Sequence, residues 1–487
     1  MMKGFTKFPR MDGAVYGVLF LLVVGNGLLG VNTLQAQVSD QLVISPKDKS
    51  FEKYKYMGSI SCDGSGCHGS TKKKQKFSIP QNEYYVWYEK DRHAKAFEVL
   101  KTEDSKRMAK NLGIKTPEAD TRCLVCHAVD VDKDNQGANY ALNEGVTCEG
   151  CHGPAEAWLG PHTRKDWDKK KGAEFGMLDT KNLAKRSERC LSCHLGVNKS
   201  RIVDHELIGA GHPRLKFEMD NYSAVMPSHW DQTDAKKKEA IGELRGVKIW
   251  SVGQAVALQQ QLNLLSESRK APTVLGPDLI HFDCFACHHE VVPKLRDLSE
   301  AEKKIQRWRV RDYGGKPGRL VWNSSNYSVF RNLIKEIAPD KAITLEKLIV
   351  NFQDGLTGKS SVADFDQVLK NLEEFATQLV PVVQQQEFTG KTVWSVMRRI
   401  SGDAGNIANA GFQSSEQAVL ALASLYEAYS GAVGHPSNKK DLMAVLDSLY
   451  EDIKDGRQFD VVKFSQHLTA FRGLLEPDVP SSPSAGK

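Results

Sequence analysis

All ten cysteines of this 487-residue chain fall into five close pairs, and a histidine follows each pair directly. The pairs are Cys62-Asp63-Gly64-Ser65-Gly66-Cys67-His68, Cys123-Leu124-Val125-Cys126-His127, Cys148-Glu149-Gly150-Cys151-His152, Cys190-Leu191-Ser192-Cys193-His194 and Cys284-Phe285-Ala286-Cys287-His288. With 14 histidines in the chain, five such coincidences would arise by chance about once in ten million sequences or less often, so the pattern reads as C-x-x-C-H haem attachment. Structural disulfides would not require the trailing histidine. Zinc ribbons do not repeat it five times in this form, thioredoxin-type dithiols usually occur once beside a βαβ pattern, and iron–sulfur ligation uses cysteine runs without a regular histidine.

The spacing follows from the chemistry of haem c. Two thiols must add across the two vinyl groups on one porphyrin edge, and cysteines one helical turn apart share a face. The adjacent histidine becomes the proximal iron ligand. The first pair has four intervening residues, and its Asp-Gly-Ser-Gly insert is flexible enough to bulge while both sulfurs reach the ring. The expected cofactor is therefore haem c, five per chain and covalent, with His68, His127, His152, His194 and His288 as proximal ligands.

Nine histidines remain for the sixth positions. His93 stands in a helical pattern one or two turns from aromatic residues, in Trp87-Tyr88-Glu89-Lys90-Asp91-Arg92-His93-Ala94-Lys95-Ala96-Phe97. His162 follows the Gly153-Pro154 turn, which can lead the chain to a neighbouring haem. His205 and His212 lie seven apart, and the glycines before His212 allow close approach to a flat ring. His229, beside Trp230, completes the set of expected distal ligands. His281 and His289 flank the fifth motif, and His289 is badly placed to reach the same iron as His288. His467 sits among Phe464, Leu468 and Phe471 and reads as structural, and His435 beside Pro436 reads as a loop residue. No catalytic residue is assigned.

The amino terminus carries Lys3, Lys7 and Arg10 before an apolar run from Ala14 to Val24, broken at Gly25-Asn26-Gly27. This is the grammar of a signal peptide over 1–36, cleaved near Ala36, and implies a periplasmic location. The alternative is an uncleaved anchor, since Leu28, Leu29 and Val31 extend the stretch toward the ~20 residues of a membrane span. Residues 37–298 form the expected pentahaem region. Five motifs in so short a stretch leave little polypeptide for an ordinary core, so the porphyrins must supply much of the buried apolar surface and folding should be coupled to haem binding. After residue 298 the pattern changes to amphipathic helices. One begins at Ser361 with Asp364 in a capping arrangement and buries Phe365, Val368, Leu369, Leu372, Phe375, Ala376 and Leu379. Others run through Val419 to Tyr429, through Leu442, Val445, Leu446, Leu449, Tyr450 and Ile453, and through Phe464, Leu468, Phe471 and Leu475. The fold class expected is mainly α: a haem-packed region with little regular structure, then an all-α bundle over 299–476. This bundle would cap the haem region or dock a redox partner. A Pro/Ser-rich disordered tail over 477–487 ends the chain.

Charge narrows the partners. Lys3, Lys7, Arg10 and Asp12 account for a net +2 of the formal +6, leaving +4 on the mature chain. Five oxidised haems, each with two propionates and a ferric iron in a dianionic ring, would contribute about −5. A nearly neutral holoprotein makes Lys72-Lys73-Lys74 and Lys169-Lys170-Lys171 solvated surface or docking patches for a redox donor or acceptor, and not nucleic-acid sites.

The ordered motifs His93-Ala94-Lys95-Ala96, Cys126-His127, Gly145-Val146-Thr147-Cys148-Glu149-Gly150-Cys151-His152-Gly153-Pro154 with His162-Thr163-Arg164, and Glu188-Arg189-Cys190-Leu191-Ser192-Cys193-His194-Leu195 resemble the tetrahaem cytochrome c-554 family over roughly residues 58 to 200. Beyond it, Ala210-Gly211-His212-Pro213-Arg214-Leu215 and the fifth motif look like longer multihaem relatives. The resemblance implies close-packed electron-carrying haems, mostly with two axial histidines. It also implies that His93 crosses to the iron of His152, that His162 returns to the iron of His68, and that the iron of His127 is open. Related enzymes that convert hydroxylamine or nitrite use such an open iron. Periplasmic electron transfer between redox proteins is the first expectation. The alternative is an oxidoreductase acting on a small nitrogen or sulfur compound at one open iron, and a subunit of a membrane-associated or multihaem complex is a third.

Overall fold

The structure, a computed structural model, describes residues 53–74, 79–230, 244–270, 278–284, 321–356 and 362–476. The expected signal segment, the Ser361 cap, the boundary at 298 and the tail after 476 lie outside them. Residues Val43–Lys487 make one compact unit. The fold is mainly α; among the described residues extended pairing is limited to isolated bridges, such as Tyr56 with Gln136 and Phe282 with Trp322.

The first half consists of short helices joined by turns: α1 (Glu83–Lys90), α2 (Glu103–Leu112), α3 (Thr121–His127), α4 (Cys148–His152), α5 (Leu183–His194), α6 (His205–Ala210) and α7 (Met219–Val225). Side chains start several of them. Thr102 accepts from Ser105 N ahead of α2, Asp120 from Arg122 N ahead of α3, Asn182 from Ala184 N and Lys185 N ahead of α5, and Asp204 from Leu207 N ahead of α6. Each cap satisfies an amide that a helix start leaves open. The apolar cluster within this half is small, formed by Phe97, Leu100, Leu124 and Ala128. That scarcity is what a stretch relying on porphyrin for burial should show.

The second half is built differently. Helix α8 (Arg245–Lys270) is followed by α9 (Phe330–Ile337), α10 (Pro339–Leu356), α11 (Val362–Gln385), α12 (Gly390–Gly402), α13 (Phe412–Ala432), α14 (Lys439–Asp452) and α15 (Val461–Leu474). The faces read from the sequence are the ones that pack. Phe365, Leu369, Leu372, Ala376 and Leu379 of α11 are buried, as are Phe464, Leu468, Phe471 and Leu475 at the end of the chain. Each such side chain contributes about 1.5–3 kcal/mol by leaving water. Tyr450 of α14 instead faces solvent.

Helix α8 was not legible as a core element. Its Gln259-Gln260-Gln261 run reads as polar, yet Gln260 and Gln261 are buried because their amides donate to Gly196 O and Asn323 O, both at 2.6 Å. Trp250, Val252, Val256, Leu258, Leu262 and Leu265 surround them. Helix α8 packs on α5, α11 and α13, so one continuous core runs from Leu183 and Leu191 of α5 to Leu475. The helix that carries the fourth motif is thereby anchored in the helical core. An ion pair of Arg331 Nε with Asp403 Oδ2 at 2.9 Å, joined by Asn332 Nδ2 at 2.9 Å, closes the α9 side of that core.

Candidate haem-binding site

In three of the motifs the proximal histidine is the last residue of a helix: His127 ends α3, His152 ends α4 and His194 ends α5. The paired cysteines lie one turn apart on the same helix, the second directly before the histidine, as vinyl addition requires. Gly153, at φ 82°, lets the chain turn sharply after His152. The first motif has Cys62 at the end of a 3₁₀ turn, Ser59–Cys62, and its longer insert loops out before His68. Lys74 Nζ donates to Ser65 O at 2.5 Å and Gln81 Nε2 to Gly66 O at 2.8 Å, which holds that loop.

The histidines meet in pairs. The ring centres of His68 and His162 are 6.2 Å apart with planes at 10°. Those of His93 and His194 are 6.1 Å apart at 85°, and those of His127 and His212 are 6.4 Å apart at 82°. Two imidazoles bound on opposite sides of one metal through bonds of about 2 Å have ring centres roughly 6 Å apart. The pairing of His162 with His68 is the one implied by the family resemblance. The other two are not: His93 faces His194 and not His152, and His127, whose iron was expected to be open, faces His212.

Five of these six rings have Nδ1 already engaged. His68 Nδ1 donates to Glu83 Oε2 at 3.1 Å and His93 Nδ1 to Asp91 Oδ1 at 2.9 Å. His127 donates to Ala96 O at 2.9 Å, His162 to Trp158 O at 3.0 Å and His212 to Pro213 O at 2.7 Å. A donated Nδ1–H fixes the tautomer in which Nε2 carries the free lone pair and orients the ring toward a metal. The Glu83 and Asp91 carboxylates raise the basicity of His68 and His93 above the ordinary value. Asp91 could have been found from its i, i+2 spacing to His93. Glu83, fifteen residues from His68, carried no such signal.

His152 is enclosed; burial pushes its imidazole down to about 4, with His229 the next contribution. It is therefore neutral at physiological pH, the form that ligates a metal. His229 is also lowered by burial and lies edge-on to Trp230 at 5.1 Å. His205 is exposed at the start of α6. Cys284 is partly buried, whereas Cys287, His288 and His289 lie outside the described residues. The structural reading of His467 is met by its Nδ1, 2.6 Å from the buried Asp452 carboxylate. His435 lies in the turn before α14, 2.8 Å from Lys439 Nζ.

Thiols also meet across motifs. The Cys62 thiol lies beside that of Cys148 and the Cys126 thiol beside that of Cys193, and the members of each pair perturb one another's acidity. Glu149, buried inside the third motif, accepts from Met57 N and Gly58 N at 2.8 Å and from Ala155 N at 2.7 Å, tying the approach to the first motif onto α4. Among the described residues no three His, Cys, Asp or Glu side chains converge as a self-sufficient metal site. Opposed pairs of imidazoles with unbridged thiols beside them fit a haem, which brings four equatorial nitrogens of its own.

Helix-end histidines behind thiol pairs, with further histidines facing them, define a c-type cytochrome. Residues 64–153 match the family described as cytochrome c554 and c-prime. A curated relative, cytochrome c-554 of Nitrosomonas europaea, is 33% identical over 123 residues, covering 22% of this chain and 50% of its own length. The chain thus spans about half of that relative, and no solved structure matches it.

Proposed function

We propose that this protein is an exported multihaem cytochrome that carries electrons through five covalently bound haems, most with two axial histidines. The observation that carries the reading is the set of three opposed imidazole pairs at 6.1–6.4 Å. A six-coordinate iron with two histidines exchanges an electron with little change of ligation and offers no vacant position to a substrate, so this geometry favours transfer over catalysis. The thiol contacts of Cys62 with Cys148 and of Cys126 with Cys193 support close packing of the first with the third haem and of the second with the fourth. Bound haem would supply the redox-active iron. The chain's own residues set its ligation, through Nε2 atoms freed by the Nδ1 hydrogen bonds, and its exposure to water.

Export to the periplasm rests on the amino-terminal sequence. Among the described residues no helix is long and apolar enough to cross a membrane. The partners are a redox donor and a redox acceptor, met singly or within a larger complex. A pyridine haemochrome assay with protein mass should give five haems per chain, and the ferric protein should show mainly low-spin electron paramagnetic resonance. A stoichiometric high-spin signal that responds to nitrite, hydroxylamine or sulfite would replace this reading with an enzyme.

A further inference from the structure

We infer that the face around the first motif is a docking surface for a redox protein, and that this partner presents acidic side chains around its own redox centre. Such a port deepens the proposed electron-carrying role and rests on it.

The first motif differs from the others in its access to solvent. Among the described cysteines Cys67 alone is exposed, and Gly64, Ser65 and Gly66 before it are exposed as well. The insert, two residues longer than in the other motifs, carries this thiol outward. A porphyrin bonded to Cys67 Sγ would have that edge at the surface. Electron transfer weakens steeply with distance, so an edge at the surface is where a partner gains most by docking.

The chain around this edge carries exposed apolar and cationic side chains together. Ile60, Ile79, Tyr85 and Tyr88 are 49%, 40%, 37% and 49% exposed. They belong to segments tied to the motif. Tyr84 N donates to His68 O at 3.1 Å, and the Tyr84 ring stacks on Tyr88 with centres 6.0 Å apart. Gln81, two residues after Ile79, holds Gly66 O at 2.8 Å. Between Ile60 and Lys95 the exposed charged side chains among the described residues are Lys72, Lys73, Lys90, Arg92, Lys95 and Glu89, five cations against one anion. Lys72 and Lys73 stand on the turn that Lys74 Nζ pins to Ser65 O at 2.5 Å, so this turn lies against the exposed insert. Lys95 Nζ lies 4.5 Å from the centre of the Tyr88 ring.

Exposed apolar side chains rimmed by polar ones mark an interaction surface. Charges of one sign steer a partner of the opposite sign and raise the rate of encounter more than the affinity. Electron carriers need complexes that form and part quickly, and these use small patches. An anionic membrane would meet the same charges, but it gains nothing from an exposed porphyrin edge.

The test uses the full-length holoprotein, fully reduced, in stopped flow. The acidic copper protein plastocyanin serves as oxidant, with basic mitochondrial cytochrome c as the probe of opposite charge. Wild-type protein should react with plastocyanin about tenfold faster at low than at high ionic strength, and with cytochrome c no faster at low than at high. Lys72→Glu with Lys73→Glu should slow the plastocyanin reaction about tenfold at low salt. Lys341→Glu with Lys347→Glu, the same change of charge on exposed residues of α10, should slow it by less than about twofold. Tyr88→Ser should slow it at high salt, where charges are screened. Equal slowing by the two double variants, or no slowing by Lys72→Glu with Lys73→Glu or by Tyr88→Ser, overturns the inference. So does binding to phosphatidylglycerol vesicles that the Lys72 and Lys73 substitutions abolish without slowing plastocyanin. Haem count and spin state are read on the same samples. A docking failure at five haems overturns this inference alone, whereas a chain without haem at Cys62 and Cys67 takes it down together with the function it rests on.

Discussion

The His127 and His212 imidazoles face each other with ring centres 6.4 Å apart and planes at 82°. His212 lies well beyond residues 64–153, the segment that matches the cytochrome c554 family. The side of His127 that the family resemblance would leave open is therefore faced here by a histidine from beyond the matched segment. The approach to His212 is fixed by Gly211 at φ 121°, which turns the chain after α6, and by the Nδ1 hydrogen bond to Pro213 O.

His212→Ala should accordingly create an open iron. Ferric protein carrying it is expected to gain one high-spin haem and to bind cyanide or nitric oxide at that iron, with an unchanged haem count. Wild-type protein should resist both ligands at the second haem. Optical titration with cyanide measures this, and equal binding by both proteins would remove His212 from the ligand set.

Ring orientation gives a second expectation. Parallel imidazole planes act on one iron d orbital and split it from its partner, whereas perpendicular planes act on both alike and leave them nearly degenerate. The His68–His162 pair at 10° should give a rhombic low-spin signal, and the pairs at 85° and 82° should give strongly anisotropic signals with a large maximum g value. Replacing His162 with Ala should remove the rhombic component selectively. Loss of an anisotropic component in its place would contradict the pairing.

Glu83 bonds to His68 Nδ1 at 3.1 Å. A carboxylate acceptor gives the imidazole more anionic character than a carbonyl does and so favours the ferric iron. Hydrogen bonds to charged groups exceed neutral ones by about 1 kcal/mol, so Glu83→Gln should raise the potential of the first haem by on the order of 50 mV, close to a tenfold change for one electron. Spectroelectrochemistry that resolves the rhombic signal can follow it. A downward shift would mean that Glu83 acts on the haem by some other route.

The local geometry of the cysteine pairs was legible in the sequence because it depends on spacing alone, and α3, α4 and α5 place Cys123, Cys148 and Cys190 one turn from Cys126, Cys151 and Cys193. Distal ligation is a long-range relationship, and there the sequence named residues without naming their partners. His93 could be picked from its setting near Trp87 and Phe97, but its partner His194 lies a hundred residues away, and position within a family pointed to His152. The helical faces of α11 and α15 were readable because leucine and phenylalanine recur at helical spacing. Helix α8 escaped notice because buried glutamines interrupt its apolar pattern, and only the carbonyls of Gly196 and Asn323, distant in sequence, make their burial tolerable.

The unequal cores of the two halves predict how the protein behaves without haem. Among the described residues from 53 to 182, the one apolar cluster is the small one around Phe97, Leu100, Leu124 and Ala128. Their turns are otherwise fixed by hydrogen bonds and by the histidine ring pairs. The helices α8 to α15 share an extensive buried core in which Trp250, Leu258, Phe330, Phe352, Phe464 and Phe471 are fully enclosed. Chain produced without haem attachment should therefore retain most of its far-ultraviolet helical signal. Hydrogen–deuterium exchange should be fast throughout α1 to α4 and slow in α8 and α13, with α5 intermediate because Leu183 and Leu191 still dock on α8. Leu468→Ala, which opens a cavity in that core, should lower the stability of the same protected helices by about 2–5 kcal/mol while leaving the haem count of the holoprotein unchanged. Uniformly fast exchange in the haem-free chain would show instead that the helical half depends on the porphyrins as closely as the motifs do.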